Sequence, residues 1–331
     1  MKTIRWGIIG CGDVTEVKSG PGFQKATNSS LVAVMRRSGH LAEDYARRHG
    51  VPKWYDDGAA LINDPEVDAV YIATPPYAHR EYTLLCAEAG KPVYVEKPMA
   101  LNFAECQEMI EACRAAGVPL FVAFYRRRLA RFVKIKELVA QGAIGQPRVV
   151  TIKLYRQAQP EDYTADTLHW HYKPALSGGG RFVDVGCHTL DFLDEVLGPI
   201  TSARGLAANQ SGYYPAEDVV SAAFEFESGV LGSGTWCFSS FHDEDQTEIV
   251  GTQGKISFSS FDAAPLQLTT VQGMTEFKID YPAHVHQPLI QTIVDELNGL
   301  GRCPSSGVSG ARTNWVMDQI LQDYYQGGHQ R

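Results

Sequence analysis

No uninterrupted apolar run in this chain approaches the roughly 18 residues that a membrane span requires, so no membrane segment is expected. Basic charge is also short: 30 Lys and Arg against 38 Asp and Glu leave a net charge of −8. That is the wrong sign for a protein whose main partner is a phosphate backbone, and nucleic acid is not expected. The opening residues Met1-Lys-Thr-Ile-Arg-Trp-Gly7 carry no apolar h-region and lead directly into a strand pattern, so no secretion signal is expected. Neither a CxxC pair nor an HExxH motif nor a Cys/His cluster occurs, and no metal is expected. The seven cysteines are odd in number, and Cys86, Cys106 and Cys113 lie in apolar or helical surroundings. Buried thiols in a reducing cytoplasm fit this better than a disulfide framework. What remains is a globular composition, 44% hydrophobic and 21% charged, over 331 residues, enough for about two domains.

The first part of the chain alternates short apolar runs with helix-length segments. Strands are expected at 4–9, 31–35, 69–73, 92–95 and 119–124, with helices at 41–49, 78–89 and 102–116. Gly90 and Gly117 follow two of these helices in the position that takes a left-handed cap. This rhythm predicts a doubly wound parallel sheet, with helices on both faces, over 1–124. Beyond Phe124 a helix at 130–141 is followed by longer period-2 strands at 218–227, 230–238 and 248–258, joined by turns such as Glu227-Ser-Gly and Thr252-Gln-Gly. The expected second domain, 125–331, is α+β with a large open, mostly antiparallel sheet and a closing helix at 311–325.

Gly7-Ile-Ile-Gly10-Cys-Gly12-Asp13-Val14-Thr15 follows the first strand and opens a helix. Gly10 permits a tight turn, and Gly12 removes a side chain so that a pyrophosphate can reach backbone amides. Thr15 replaces the third glycine of the dinucleotide fingerprint, a looser match whose hydroxyl offers a phosphate a hydrogen bond. Any α/β protein can hold a glycine-rich turn; the placement after the first strand of a βαβ array is the context the motif requires. A carboxylate that would bind a ribose 2′-hydroxyl is missing at the end of the second strand. Arg36, Arg37 and Ser38 stand there, Arg36 being 24 residues past Gly12. Two guanidiniums and a hydroxyl favour a 2′-phosphate, which predicts NADP(H) over NAD(H). A solvated charge pair opening a surface loop is the alternative. Thr74, Pro75 and His79 leave the third expected strand, and Glu96-Lys97-Pro98 the fourth, at the carboxyl edge where open α/β sheets place ligands.

The run Ser177-Gly-Gly-Gly180-Arg-Phe-Val-Asp184-Val-Gly-Cys-His188-Thr-Leu-Asp191-Phe-Leu-Asp194-Glu195 is the second dense signal. At 100° per residue, Asp184, His188, Asp191 and Glu195 fall within about 60° of one another. No Lys or Arg lies between Arg181 and Glu195. A carboxylate one turn from a histidine can orient it as a general acid or base. An acidic surface stripe is the alternative, against which the triple glycine speaks, since it lets something approach closely. Leu168-His169-Trp170-His171-Tyr172 and Tyr155 offer aromatic faces and imidazoles suited to a polyol; packing between domains explains each residue equally well. Tyr125-Arg126-Arg127-Arg128 reads as local and solvated.

Gly10-Cys-Gly12, Glu96-Lys97-Pro98 and Gly179-Gly180-Arg-Phe-Val-Asp184-Val-Gly-Cys-His188 together resemble the Gfo/Idh/MocA oxidoreductases, in order and at family spacing over nearly the whole chain. The resemblance implies a Rossmann domain followed by a domain with a large open sheet, and hydride transfer between nicotinamide and a sugar or cyclic polyol carbon. It implies Lys97, Asp184 and His188 as catalytic residues, with Thr74, Pro75, His79 and Glu96 lining the nicotinamide side. Substrate contacts are expected from Tyr155, Trp170 and His188. A homodimer, or a dimer of dimers, is expected through the open sheet, whose strands carry many small residues. A nicotinamide-dependent glycosidase and a non-catalytic NADP sensor are the competing functions; the presence of Lys97, Asp184 and His188 speaks for an enzyme.

Overall fold

The computed structural model describes residues 1–159 and 168–327, which fall into two compact units. The first comprises Met1–Leu129 together with Pro282–Ala311. Its parallel sheet contains β1 (Ile4–Ile9), β2 (Ser29–Met35), β3 (Lys53–Tyr55), β4 (Ala69–Ile72), β5 (Val93–Val95) and β6 (Leu120–Val122) in the order β3-β2-β1-β4-β5-β6. Near-continuous apolar strands are what a sheet covered on both faces demands. One face is built on an aromatic column: Trp6 packs on Phe23 at 4.9 Å, Phe23 on Tyr71 at 5.1 Å and Tyr71 on Tyr94 at 4.9 Å. β3 was not expected; it is a three-residue edge strand in which Trp54 is exposed, so it lacks any burial pattern to read.

The segment 282–311 departs from the expected division at 124/125. Its helix Gln287–Leu297 buries Leu289, Ile290, Ile293 and Val294 in the same core as Phe23 and Trp6. Gly22 makes room for it, because a Cβ there would stand 3.1 Å from Ile290 Cδ1. An amphipathic helix shows where its apolar stripe lies, but not which sheet that stripe will cover.

The second unit is Ala130–Tyr281 with Arg312–Arg331. Its sheet contains β7 (Pro147–Tyr155), β8 (Ile200–Ala208), β9 (Val219–Phe226), β10 (Leu231–Cys237), β11 (Glu244–Gly251), β12 (Gly254–Phe258), β13 (Leu266–Thr270) and β14 (Gly273–Phe277). The order is β14-β13-β12-β11-β7-β10-β9-β8, antiparallel except where β7 runs parallel to β10. One face is buried, with Val150, Ile152 and Leu154 on β7 and Val220, Ala222, Phe224 and Phe226 on β9. Helices Ala130–Ala140 and Cys187–Leu197 contribute Phe132 and Phe192, which pack on each other at 4.8 Å and on Phe258 at 6.2 and 5.7 Å. The opposite face exposes Val149, Leu206 and Leu231. Among the described residues the seven cysteines form no disulfide, and all but Cys237 are buried. Among the described residues no helix is long and apolar enough to cross a membrane.

Candidate active site

The glycine turn sits where the strand order reverses, between β1 and β4, the point at which open α/β sheets bind dinucleotides. Gly10 adopts φ +88°, and a Cβ there would stand 2.9 Å from the Ala73 carbonyl carbon and the Thr74 nitrogen. The turns after β1 and β4 therefore touch through a residue that must be glycine. Gly12 differs: a Cβ would meet nothing nearer than the Gly10 oxygen at 3.9 Å, so its side is open to a ligand. Asp13 and Val14 open the one-turn helix Asp13–Val17, and their N–H groups lie at its unsatisfied end. Thr15, from which a phosphate contact was expected, turns its hydroxyl inward. Thr15 is buried and its hydroxyl donates to Gly12 O at 2.7 Å, so it braces the turn from inside, while Tyr45 donates to the Thr15 carbonyl at 2.8 Å.

Arg36, Arg37 and Ser38 are exposed at the end of β2, and neither guanidinium has a carboxylate partner among the described residues. At the end of β4 the Thr74 hydroxyl is buried without a hydrogen-bond partner, an orphan that a bound group would satisfy. Pro75 leads into the short turn Pro76–Ala78. These features fit a dinucleotide along this edge.

His79 and Glu96 brace the edge from within, in contrast to the expected ligand contacts. The His79 ring is fully buried, with Nε2 2.7 Å from Thr74 O and Nδ1 3.1 and 3.2 Å from Pro98 O and Met99 O. It ties the turn after β4 to the turn after β5, and burial pushes its pKa down to about 4, so it is neutral at pH 7. Glu96 is buried, accepting from the Tyr71 hydroxyl on Oε1 and from the Lys97 N–H at 3.1 Å on Oε2. Burial raises its pKa, against the opposing pull of the Lys97 charge and the Tyr71 hydrogen bond. Lys97 itself is half-buried, immediately before a cis Pro98. Of the arginines expected to be solvated, Arg128 is exposed, but Arg126 and Arg127 are buried, Arg127 donating to Pro304 O at 2.7 Å and Arg126 lying 5.2 Å over the Tyr125 ring.

In the second unit, Phe182–Gly186 forms a π-helical turn before the helix Cys187–Leu197. The wider turn changes the 100° spacing between Asp184 and His188, while His188, Asp191 and Glu195 keep it within the regular helix. Such turns are frequent at functional sites because they re-aim side chains. Asp184 is half-buried with His171 Nε2 at 3.9 Å, and His188 is buried with its ring 6.0 Å from Phe261. The other carboxylates are structural. Asp191 is fully buried and accepts from the Thr313 hydroxyl at 3.3 Å. Asp194 accepts from Arg312 Nε at 3.0 Å and from the Ile200 N–H at 3.1 Å. Glu195 pairs with Lys136 at 2.6 Å. The absence of a local cation in the sequence was real, but the cations come from distant helices.

The triple glycine admits the protein's own backbone. A Cβ on Gly180 would lie 2.4 Å from Glu217 O, and one on Gly179 2.5 Å from Val183 Cγ2. Glu217, fully buried and not singled out in the sequence, accepts from Gly180 N at 2.8 Å and from the Tyr325 hydroxyl at 2.6 Å. It holds the start of the segment that carries Asp184 and His188. Gly180→Ala should therefore destabilise the protein by about 1–3 kcal/mol through overpacking against backbone that cannot yield, read as a fall in the unfolding midpoint. An unchanged midpoint would contradict this packing.

Tyr155 lies in register with exposed Thr151 and Lys153, on the face opposite Leu154, and packs edge-on to His242 at 5.9 Å. Strand alternation thus removes it from the side of the sheet that holds Phe182 and Trp236, which pack at 4.8 Å. Trp170 is half-buried and stacked on His171 at 3.7 Å, with His169 at 5.5 Å. Among the described residues no group of three or more His, Cys, Asp or Glu is placed to hold a metal ion.

The family model described as "Oxidoreductase family, NAD-binding Rossmann fold" matches residues 4–124, and that of the GFO/IDH/MocA C-terminal domain matches 132–257. The chain is 38% identical to Oxidoreductase P35 of Formosa agariphila, over 95% of this chain and 97% of that protein. It is 29% identical to the 1,5-anhydro-D-fructose reductase of Ensifer adhaerens, over 92% of each. Among solved structures it superimposes on the WlbA dehydrogenase of Bordetella pertussis, in complex with NADH and UDP-GlcNAcA, with a TM-score of 0.84. The sequence identity there is 24%, with 98% of this chain and 96% of that chain covered.

Proposed function

Because the chain belongs to the Gfo/Idh/MocA family of oxidoreductases, we propose that it moves a hydride between NADP(H), preferred over NAD(H), and a hydroxyl-bearing carbon of a sugar, anhydro-sugar or cyclic polyol. The observation that carries the cofactor preference is the exposed pair Arg36 and Arg37 without carboxylate partners, at the strand end where a 2′-hydroxyl-selective acid would stand. The anhydro-sugar reductase among its relatives supports the substrate class.

Gly12 and the N–H groups of Asp13 and Val14 would receive the pyrophosphate, the Thr74 hydroxyl would gain its missing partner, and Arg36, Arg37 and Ser38 would hold the 2′-phosphate. When bound, the cofactor supplies the hydride donor or acceptor. Lys97 would donate a hydrogen bond to the reacting oxygen and stabilise alkoxide charge as it develops. His188 would give that oxygen a proton on reduction and remove it on oxidation. Asp184 would orient the acid–base pair, and Trp170 would stack on the C–H face of a ring substrate. Tyr155 takes no part in this scheme, because it lies on the other face of the sheet.

The deciding experiment is a spectrophotometric screen of NADPH and NADP⁺ against anhydro-sugars, ketoses, aldoses, inositols and dihydrodiols. Net change in nicotinamide absorbance with at least one of these supports the proposal. Sugar release without net change would make the protein a glycosidase, and no turnover with any class would leave only a cofactor sensor. Mostly buried thiols with no disulfide among the described residues suit a reducing cytoplasm. The open sheet face, with exposed Val149, Leu206 and Leu231, would pair two copies. A light-scattering mass near twice 36.4 kDa is expected, and a monomer mass at micromolar concentration contradicts it.

A further inference from the structure

A buried histidine that the scheme above does not use lies beside Glu96, the residue before Lys97. His286 comes from the returning segment 282–311, and its ring is fully buried within the first unit. It packs on Tyr125 at 4.4 Å and edge-on to Tyr71 and Tyr94 at 6.4 Å each, while its backbone N–H donates to Lys18 O at 3.2 Å. Nδ1 stands 3.1 Å from the Tyr94 hydroxyl. Nε2 has no hydrogen-bond partner and stands 3.6 Å from Glu96 Oε1.

We propose that His286 is a positioning residue for Lys97: its neutral ring, with the proton on Nε2, supports the Glu96 carboxylate, which fixes the Lys97 turn. The inference rests on the reading of Lys97 as the residue that meets the reacting oxygen. A buried carboxylate needs donors on every side. Tyr71 supplies one to Oε1 and the Lys97 N–H another to Oε2. Only one neutral tautomer of His286 adds to them. With the proton on Nε2, Tyr94 donates to Nδ1 and the Nε2–H dipole points at Oε1. With the proton on Nδ1, a lone pair would face the carboxylate. The imidazolium is disfavoured by burial first, then by Lys18, Lys97 and Arg126, whose charges all face the ring and push its pKa down to about 3. The ring therefore acts as a fixed dipole.

The consequence is directional. Without that dipole Glu96 protonates more readily, and a protonated carboxyl holds the Lys97 N–H less well. Activity should then be lost at higher pH as the solution is acidified. His286→Phe keeps the aromatic volume and removes the dipole; His286→Gln places an amide N–H near the Nε2 position. Long-range ¹H–¹⁵N NMR should show the wild-type ring in its Nε2–H form at pH 7. Carboxyl ¹³C titration, with Glu96→Gln as the assignment control, should place the Glu96 midpoint about one unit higher in His286→Phe, a tenfold change in proton affinity. His286→Gln should restore part of that shift, and the acid limb of kcat should follow the same order. An Nδ1–H or imidazolium ring, or a Glu96 midpoint unmoved in His286→Phe, overturns the inference. If Lys97→Met keeps full turnover, the reading of Lys97 fails and the positioning role goes with it, whereas the two NMR measurements decide the His286–Glu96 link without reference to turnover.

Discussion

Lys97→Met should lower kcat by about 10²–10⁴-fold, the range expected when one positioned hydrogen-bond donor to a developing oxyanion is removed. The binding constant for NADPH, read by its fluorescence, should change little, because the proposed phosphate contacts are at the glycine turn and at the end of β2. Methionine keeps the length and apolar stem of lysine, so the half-buried position stays filled. His188→Ala should give a loss of the same order, and under the proposed scheme the double variant should lose far less than the product of the two, since effects of groups that act as a unit are not additive. Should Lys97→Met weaken NADPH binding as much as it slows turnover, the residue serves the cofactor rather than the reacting carbon. Near-normal turnover of His188→Ala on the true substrate would remove that histidine from the chemistry.

The second large effect concerns cofactor choice. Charge-assisted hydrogen bonds contribute roughly 1.5–3 kcal/mol each. Arg36 and Arg37 are exposed, so solvent screening reduces this, and about 10²-fold for the pair is a fair expectation. The double variant Arg36→Ala/Arg37→Ala should lose about that much kcat/KM with NADPH and retain it with NADH. The wild-type advantage of NADPH should shrink as salt is added, since the contact is made at the surface. A wild-type enzyme that uses NADH better than NADPH defeats the assignment. Solved relatives of the same fold bind NADH, so the comparison of the two cofactors is a real test.

The strands of the Rossmann sheet were legible because they are apolar and punctuated by glycines at helix ends: Gly90 and Gly117 both take positive φ, as expected. The long period-2 strands were legible for the same kind of reason, since one face of that sheet is covered and the other is open. The edge strand β3 left no trace because nothing buries it evenly, and residues 282–311 were placed with the second domain because nothing in a single sequence says which sheet a returning segment covers.

The site shows the same division. Sequence alone singled out the candidates: Gly12, the paired arginines, the Glu96-Lys97-Pro98 turn and the Asp184–His188 segment. These are local patterns, set by backbone freedom and residue type over a few positions. Tertiary structure alone decided which groups are spent inside the protein. Thr15, His79 and Glu96 turn inward as braces, Asp194 and Glu195 find Arg312 and Lys136 across the fold, and Gly180 is small because Glu217 passes behind it. Hydrogen-bond partners far apart in the chain are set by packing, and no periodicity in a single sequence records them.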